Sequence, residues 1–262
     1  FFNDLSLTLE HRYIVKKGLT DCDDCSRKNL LEFPLDFFQP PFYTKGLPWS
    51  LNYGGFGASF AHQLVHDMHK QGNCRRLSDG NACGLFGNDN ASCESKSECF
   101  LQQYKKEMEP EFNTLYQASV KSYWENGQNQ TAEEATKHYQ TQFEAVSKRR
   151  VDSDIADTSG LSLTLSAYMK LLREECENTD TRLEGLEKFS GLALLFITRG
   201  MAMCGKTTDD SVLWVQTTMT GHSPPHYRVN LPLQNTEAFA RAFNCSAESK
   251  LYKPKNETCT FW

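Results

Sequence analysis

The strongest constraint on this chain is a succession of long helical patterns between residues 99 and 204. From Cys99 to Trp124 the residues Phe100, Tyr104, Phe112, Leu115 and Tyr116 fall on one recurring apolar face. Pro110 lies inside that segment and predicts a break, because its ring removes a donor and crowds the preceding turn. Ala132 to Lys148 reads as a charged amphipathic helix. Its exit, Lys148-Arg149-Arg150, reads as a solvated basic corner, with a protease site as the lesser alternative. Ile155 to Cys176 and Leu186 to Cys204 are the most apolar segments and should form core. A short helix is expected near Thr236 to Phe243. Strand signals are few, so the expected class is mainly α with at most a small β-sheet.

Upstream, QPPFY at 39 to 43, LPW at 47 to 49 and LNYGGFG carry proline and glycine punctuation. They read as extended chain feeding a helix from Ala58 to Lys70, where Phe60, Leu64 and Met68 recur every four residues. The expected organisation is an N-terminal extended or loop segment over 1–50, followed by a single lobe over 51–262.

Composition narrows the environment. A net charge of -5 argues against a nucleic-acid binder, which usually presents a basic face. The longest apolar run, Leu192 to Ile197, is too short to cross a bilayer. The opening FFNDLSLTLEHR lacks the basic, apolar and small-residue order of a secretory leader, as expected of a processed end or of a piece of a longer chain. Ten cysteines coincide with four glycosylation sequons, at Asn90, Asn129, Asn244 and Asn256. Together they predict a secreted, oxidised glycoprotein. Cys22-Asp-Asp-Cys25 has acidic filling that opposes a reactive thiolate, so it reads as one end of a structural bridge.

The chemistry-bearing stretch is SFAHQLVHDMHK, residues 59 to 70. Residues four apart share a helical face, so His62 and His66 can present two imidazoles to one metal ion. That geometry underlies the H-E-x-x-H motif, whose glutamate activates a zinc-bound water. Here Gln63 occupies the glutamate's place.

Six blocks, FPLDFFQPPFY, LNYGGFGASFAHQLVH, DIADTSGL, HSPPHYRVNLPLQN, AFNCS and the terminal CTFW, resemble the neprilysin and endothelin-converting-enzyme family of zinc metallopeptidases in order and spacing. The resemblance runs from about Asn29 to Trp262 and covers the C-terminal, catalytic lobe, a thermolysin-like zincin. It implies that His62 and His66 are the zinc pair and that Gln63 replaces the general base. The family's third ligand opens an E-N-I-A-D block, read here as Ser153-Asp154-Ile155-Ala156-Asp157, so Ser153 replaces that glutamate. Asp157 matches the aspartate that orients a zinc histidine. His222 and Arg228 match residues that stabilise the transition state and hold the substrate carbonyl. The family's substrate-backbone motif aligns with Asp21-Cys22-Asp23-Asp24, so that contact is expected to be lost.

A glutamine amide cannot take a proton from water at neutral pH, and losing a positioned base costs about 10²- to 10⁴-fold. Replacing an anionic ligand by serine removes charge as well as a bond. The metal set His62 and His66 is therefore incomplete; no cofactor is expected, and zinc would be weakly held. His69, or Asp152 or Asp154, could enter as substitute ligands, but none replaces the base.

The resemblance also implies a Cys99–Cys259 disulfide. It places the partners of Cys204 and Cys245 in an N-terminal lobe, so these two could join a second polypeptide, either that lobe or a related subunit, or pair with each other or with the additional cysteines of this chain. The reading is an enzyme fold without catalysis: a secreted pseudopeptidase acting through peptide or protein binding. The alternatives are an active zinc metalloendopeptidase with substituted ligands and a structural secreted glycoprotein.

Overall fold

A computed structural model describes residues 12–16, 30–72, 90–117, 132–205 and 221–261. Two short strands, β1 (Arg12–Lys16) and β2 (Leu30–Pro34), pair in parallel, with Arg12 opposite Leu30. Among the described residues everything else of regular structure is helical, chiefly α1 (Trp49–Asn52), α2 (Ala58–Gly72), α3 (Asn90–Tyr116), α4 (Ala132–Glu175), α5 (Gly191–Ala202), α6 (Pro225–Gln234) and α7 (Glu237–Ala242). The mainly α class with a small sheet is what the sequence periodicity predicts.

Several boundaries differ from expectation, each for a physical reason. LNYGGFG is not extended: a π-helical turn over Tyr53–Gly57 joins α1 directly to α2. Its glycines serve close packing. A Cβ at Gly54 would sit 2.1 Å from the Leu195 carbonyl oxygen, and one at Gly55 would sit 2.3 Å from that of Phe42. Pro110 does not break α3, which continues to Tyr116. The expected helices 132–148 and 155–176 are one helix of 44 residues, α4. No proline interrupts it, and its charges suit the helix dipole, with Glu133 and Glu134 in the first turn and Arg173 in the last. Arg150 is accordingly not part of a solvated corner: it is 1 % exposed, with Nη1 donating to Met108 Sδ at 3.4 Å. Burial pushes its pKa down to about 10. The apolar helix begins at Gly191, where Ser190 caps it by accepting from Ala193 N. Helix α6, opened by Pro225 in its first turn, falls in a segment to which the sequence reading assigned no helix.

Three packed clusters hold the helices. Tyr53, Leu161, Leu165, Tyr168, Leu195 and Phe196 join the π-helical turn, α4 and α5. Phe100, Tyr104 and Met108 of α3 meet Ile155, Leu231 and Phe261. Phe112 and Tyr116 pack on Phe143 and Val146. Residues 30–50 lean on this body through rings: Phe33 lies 5.4 Å from Phe56 and 5.6 Å from Phe60 between centroids. The Cys99–Cys259 disulfide ties the tail to α3 across a separation of 160 residues. In the chain-entropy model a loop of that length is worth about 5 kcal/mol.

Candidate functional site

The site forms where α2 crosses α4. Ser153, Asp157, Gly160 and Thr164 recur at helical spacing on one face of α4 and are all buried. Gly160 lets the two backbones meet, since a Cβ there would lie 2.8 Å from His62 N. That approach brings His62 onto Asp157, with Nδ1 to Oδ1 at 2.9 Å.

Asp157 is the electrostatic centre. Arg199 of α5 donates Nη2 to Oδ1 at 2.9 Å, and Arg228 of α6 donates Nε to Oδ2 at 2.7 Å and Nη2 to Oδ1 at 3.1 Å. Burial alone would raise the Asp157 pKa, but Arg228, His62 and Arg199 together hold it well below the ordinary carboxylate range. Burial lowers the His62 pKa despite Asp157, which favours the neutral imidazole. With Nδ1 on the carboxylate, Nε2 is left on the side of His66, and the neutral ring offers it as a lone pair. Burial works against the charge on Arg228, but Asp157 beside it outweighs that and raises its pKa.

His62 Nε2 lies 3.0 Å from His66 Nε2. His222 sits just before α6, its ring centroid 5.8 Å from that of His62 and 6.4 Å from that of His66. One ligand atom from each of the three histidines lies within 4.8 Å of the others. Gln63, between the pair, is exposed, while Ser153 is 2 % exposed and its hydroxyl finds no partner. Asp154, the other candidate ligand, is not grouped with His62, His66 and His222: it is buried and accepts from Ser223 Oγ at 2.7 Å. Burial, aided by the charge of Asp157, raises its pKa well above the usual range.

The structure thus gathers His62, His66, Asp157, His222 and Arg228, with Ser153 one turn along the same face of α4. Arg199 escaped the sequence reading. Its signal was a lone cation within GLALLFITRGMA, the most apolar helix, where a buried charge requires a partner. Cys204 is free and exposed, and Cys245 is free and half-buried. Asn244 and Asn256 are exposed. Asp21 to Asp24 and Asn129, and the side chains of His69 and Asn90, lie outside the described residues.

The sequence model of peptidase family M13 matches residues 25–259. The chain belongs to peptidase family M13. Curated relatives include neprilysin-11 of Caenorhabditis elegans, 24 % identical over 97 % of this chain and 26 % of its own length. Human endothelin-converting enzyme-like 1 is 30 % identical over 90 % of this chain and 26 % of its own. The chain therefore spans little more than a quarter of either relative. Among solved structures, the zinc metalloprotease ZMP1 of Mycobacterium tuberculosis shares the fold with a TM-score of 0.63 and 22 % identity, over 88 % of this chain and 30 % of that one. A structure named Haemonchus galactose containing glycoprotein complex gives a TM-score of 0.60 and 25 % identity, over 88 % of this chain and 34 % of that one.

M13 membership makes zinc the metal to test against these residues. The donor set suits a transition ion in part: two imidazole nitrogens converge, and Asp157 fixes the tautomer of one. A bound ion would supply Lewis acidity. At Ser153, where the resemblance expects an anionic third donor, the side chain is a neutral hydroxyl, buried and without a hydrogen-bond partner.

Proposed function

We propose that this M13 chain is a secreted pseudopeptidase that acts by binding peptides or a protein partner. One observation carries the reading. The scaffold that orients the histidine pair is intact down to the 2.9 Å His62–Asp157 contact, while Gln63 and Ser153 stand where the chemistry needs two carboxylates. Peptide hydrolysis requires a group that accepts a proton from water and returns one to the leaving amine. The Gln63 amide does neither at neutral pH. Arg228 spends Nε and Nη2 on Asp157, which leaves Nη1 for a peptide carbonyl.

Exposed Cys204 and half-buried Cys245 support a second polypeptide held by disulfide. The likeness to a solved protein named as a glycoprotein complex supports an assembled extracellular setting, in line with the exposed sequons at Asn244 and Asn256. Among the described residues no helix is long and apolar enough to cross a membrane.

The test incubates the purified chain with a peptide library and reads both capture and cleavage by mass spectrometry. The reading expects peptides retained intact. Chelator-sensitive cleavage, or no retention of any peptide or protein, would refute it.

A further inference from the structure

Ser153 offers the imidazole pair no anionic third donor, only a buried neutral hydroxyl. The structure supplies a third donor by another route. Ser223, buried at 3 % exposure, donates its hydroxyl to Asp154 Oδ1 at 2.7 Å. Ser223 follows His222 in the chain, and Asp154 follows Ser153. One hydrogen bond therefore fastens the residue after His222 to the residue after the lost ligand, and this anchor delivers the His222 ring beside the pair.

We infer that His222 serves as the third metal ligand of this chain, completing an all-imidazole site with His62 and His66 for a borderline transition ion such as zinc or cobalt. The nitrogens of the pair stand 3.0 Å apart. In a tetrahedral site with bonds near 2.0–2.1 Å, ligand atoms are separated by about 3.3–3.4 Å. The three donors lie within 4.8 Å of one another, so closing the set takes a move of His222 of roughly 1.5 Å or less. Rotation of a half-buried side chain at the start of a helix covers that distance. Three neutral nitrogens select ions that favour imidazole over the hard cations calcium and magnesium. The same assignment withdraws His222 from the substrate role that the family resemblance gave it. The inference concerns the metal alone and stands apart from peptide binding.

The experiment titrates the metal-stripped full chain with zinc in competition with a chromophoric chelator, and with cobalt by visible absorption. Wild type should bind one zinc per chain, and its cobalt complex should show the intense bands of four-coordinate geometry. His222→Ala should weaken zinc affinity at least about tenfold, as loss of a metal-site partner does, and should change the cobalt spectrum. Ser153→Ala should leave both unchanged. Circular dichroism confirms that each variant is folded. His222→Glu supplies a different third donor and should restore tight binding, which separates loss of a ligand from local damage. The inference fails if His222→Ala matches wild type while His62→Ala abolishes binding, if Ser153→Ala weakens binding as His222→Ala should, or if wild type takes up no stoichiometric zinc.

Discussion

His62 and Asp157 are joined across the α2–α4 crossing by a 2.9 Å contact between Nδ1 and Oδ1. The aspartate oxygen in that contact also accepts from Arg199. One buried carboxylate therefore fixes an imidazole and is shared as ion-pair partner by two guanidinium groups, those of Arg199 and Arg228. The scaffold of the site and the stability of the lobe rest on the same side chain.

Asp157→Asn should be costly for that reason. It leaves buried Arg199 and largely buried Arg228 without an anion, and removing one partner of a buried pair costs about 3–5 kcal/mol. Urea unfolding at neutral pH checks this. A loss under about 1 kcal/mol would mean that solvent screens the network.

Asp154→Asn should act in the opposite direction. Burial, with the charge of Asp157 adding to it, raises the folded-state pKa of Asp154 above its unfolded value of about 3.9. The folded state then binds the proton more tightly than the unfolded one. Stability from this group is full below the unfolded pKa and is lost as pH rises toward the folded one. An asparagine still accepts from Ser223 and carries no charge to bury. Melting profiles of variant and wild type should coincide below about pH 4 and separate in the variant's favour as pH rises. A constant offset at all pH values would contradict the assignment.

Gly160→Ala tests the crossing itself. The added methyl would meet His62 N at 2.8 Å and His62 Cα at 3.0 Å, so helix α2 must move. Overpacking of this kind costs about 1–3 kcal/mol. Metal affinity should fall with it because His62 is displaced. Loss of stability with unchanged metal affinity would place the strain elsewhere.

Much of this arrangement was legible in the sequence. The i, i+4 spacing of His62 and His66, the helical periodicity of the segments and the blocks holding Asp157 and Arg228 all point to the site. Other features were hidden because they depend on tertiary packing. Lys148-Arg149-Arg150 resembles a surface corner, yet α4 runs through it, Arg150 turns inward and, one turn on, Asp154 finds Ser223. LNYGGFG resembles a loop because close helix packing and turning both call for glycine. Residue spacing alone could not show that Ser223 anchors His222 next to the pair, since those partners lie 69 residues apart.

Restoring the missing side chains should restore chemistry, and in a non-additive way. Gln63→Glu alone supplies a base at a site whose third donor is the neutral His222, and Ser153→Glu alone supplies an anionic donor without a base. Groups that serve one step are coupled, so the double variant should exceed either single one. A gain of about 10²-fold or more over wild type is expected from the base once the ligand is present. Peptide hydrolysis followed by chromatography checks this, and equal activity in all three variants would contradict it.

The most direct test is peptide hydrolysis by the zinc-loaded wild-type chain, with and without chelator. The account predicts no product above the chelator control, because Gln63 cannot move the proton that the reaction requires. Chelator-sensitive turnover at about 1 s⁻¹ or faster, the ordinary range of enzymes, would contradict it.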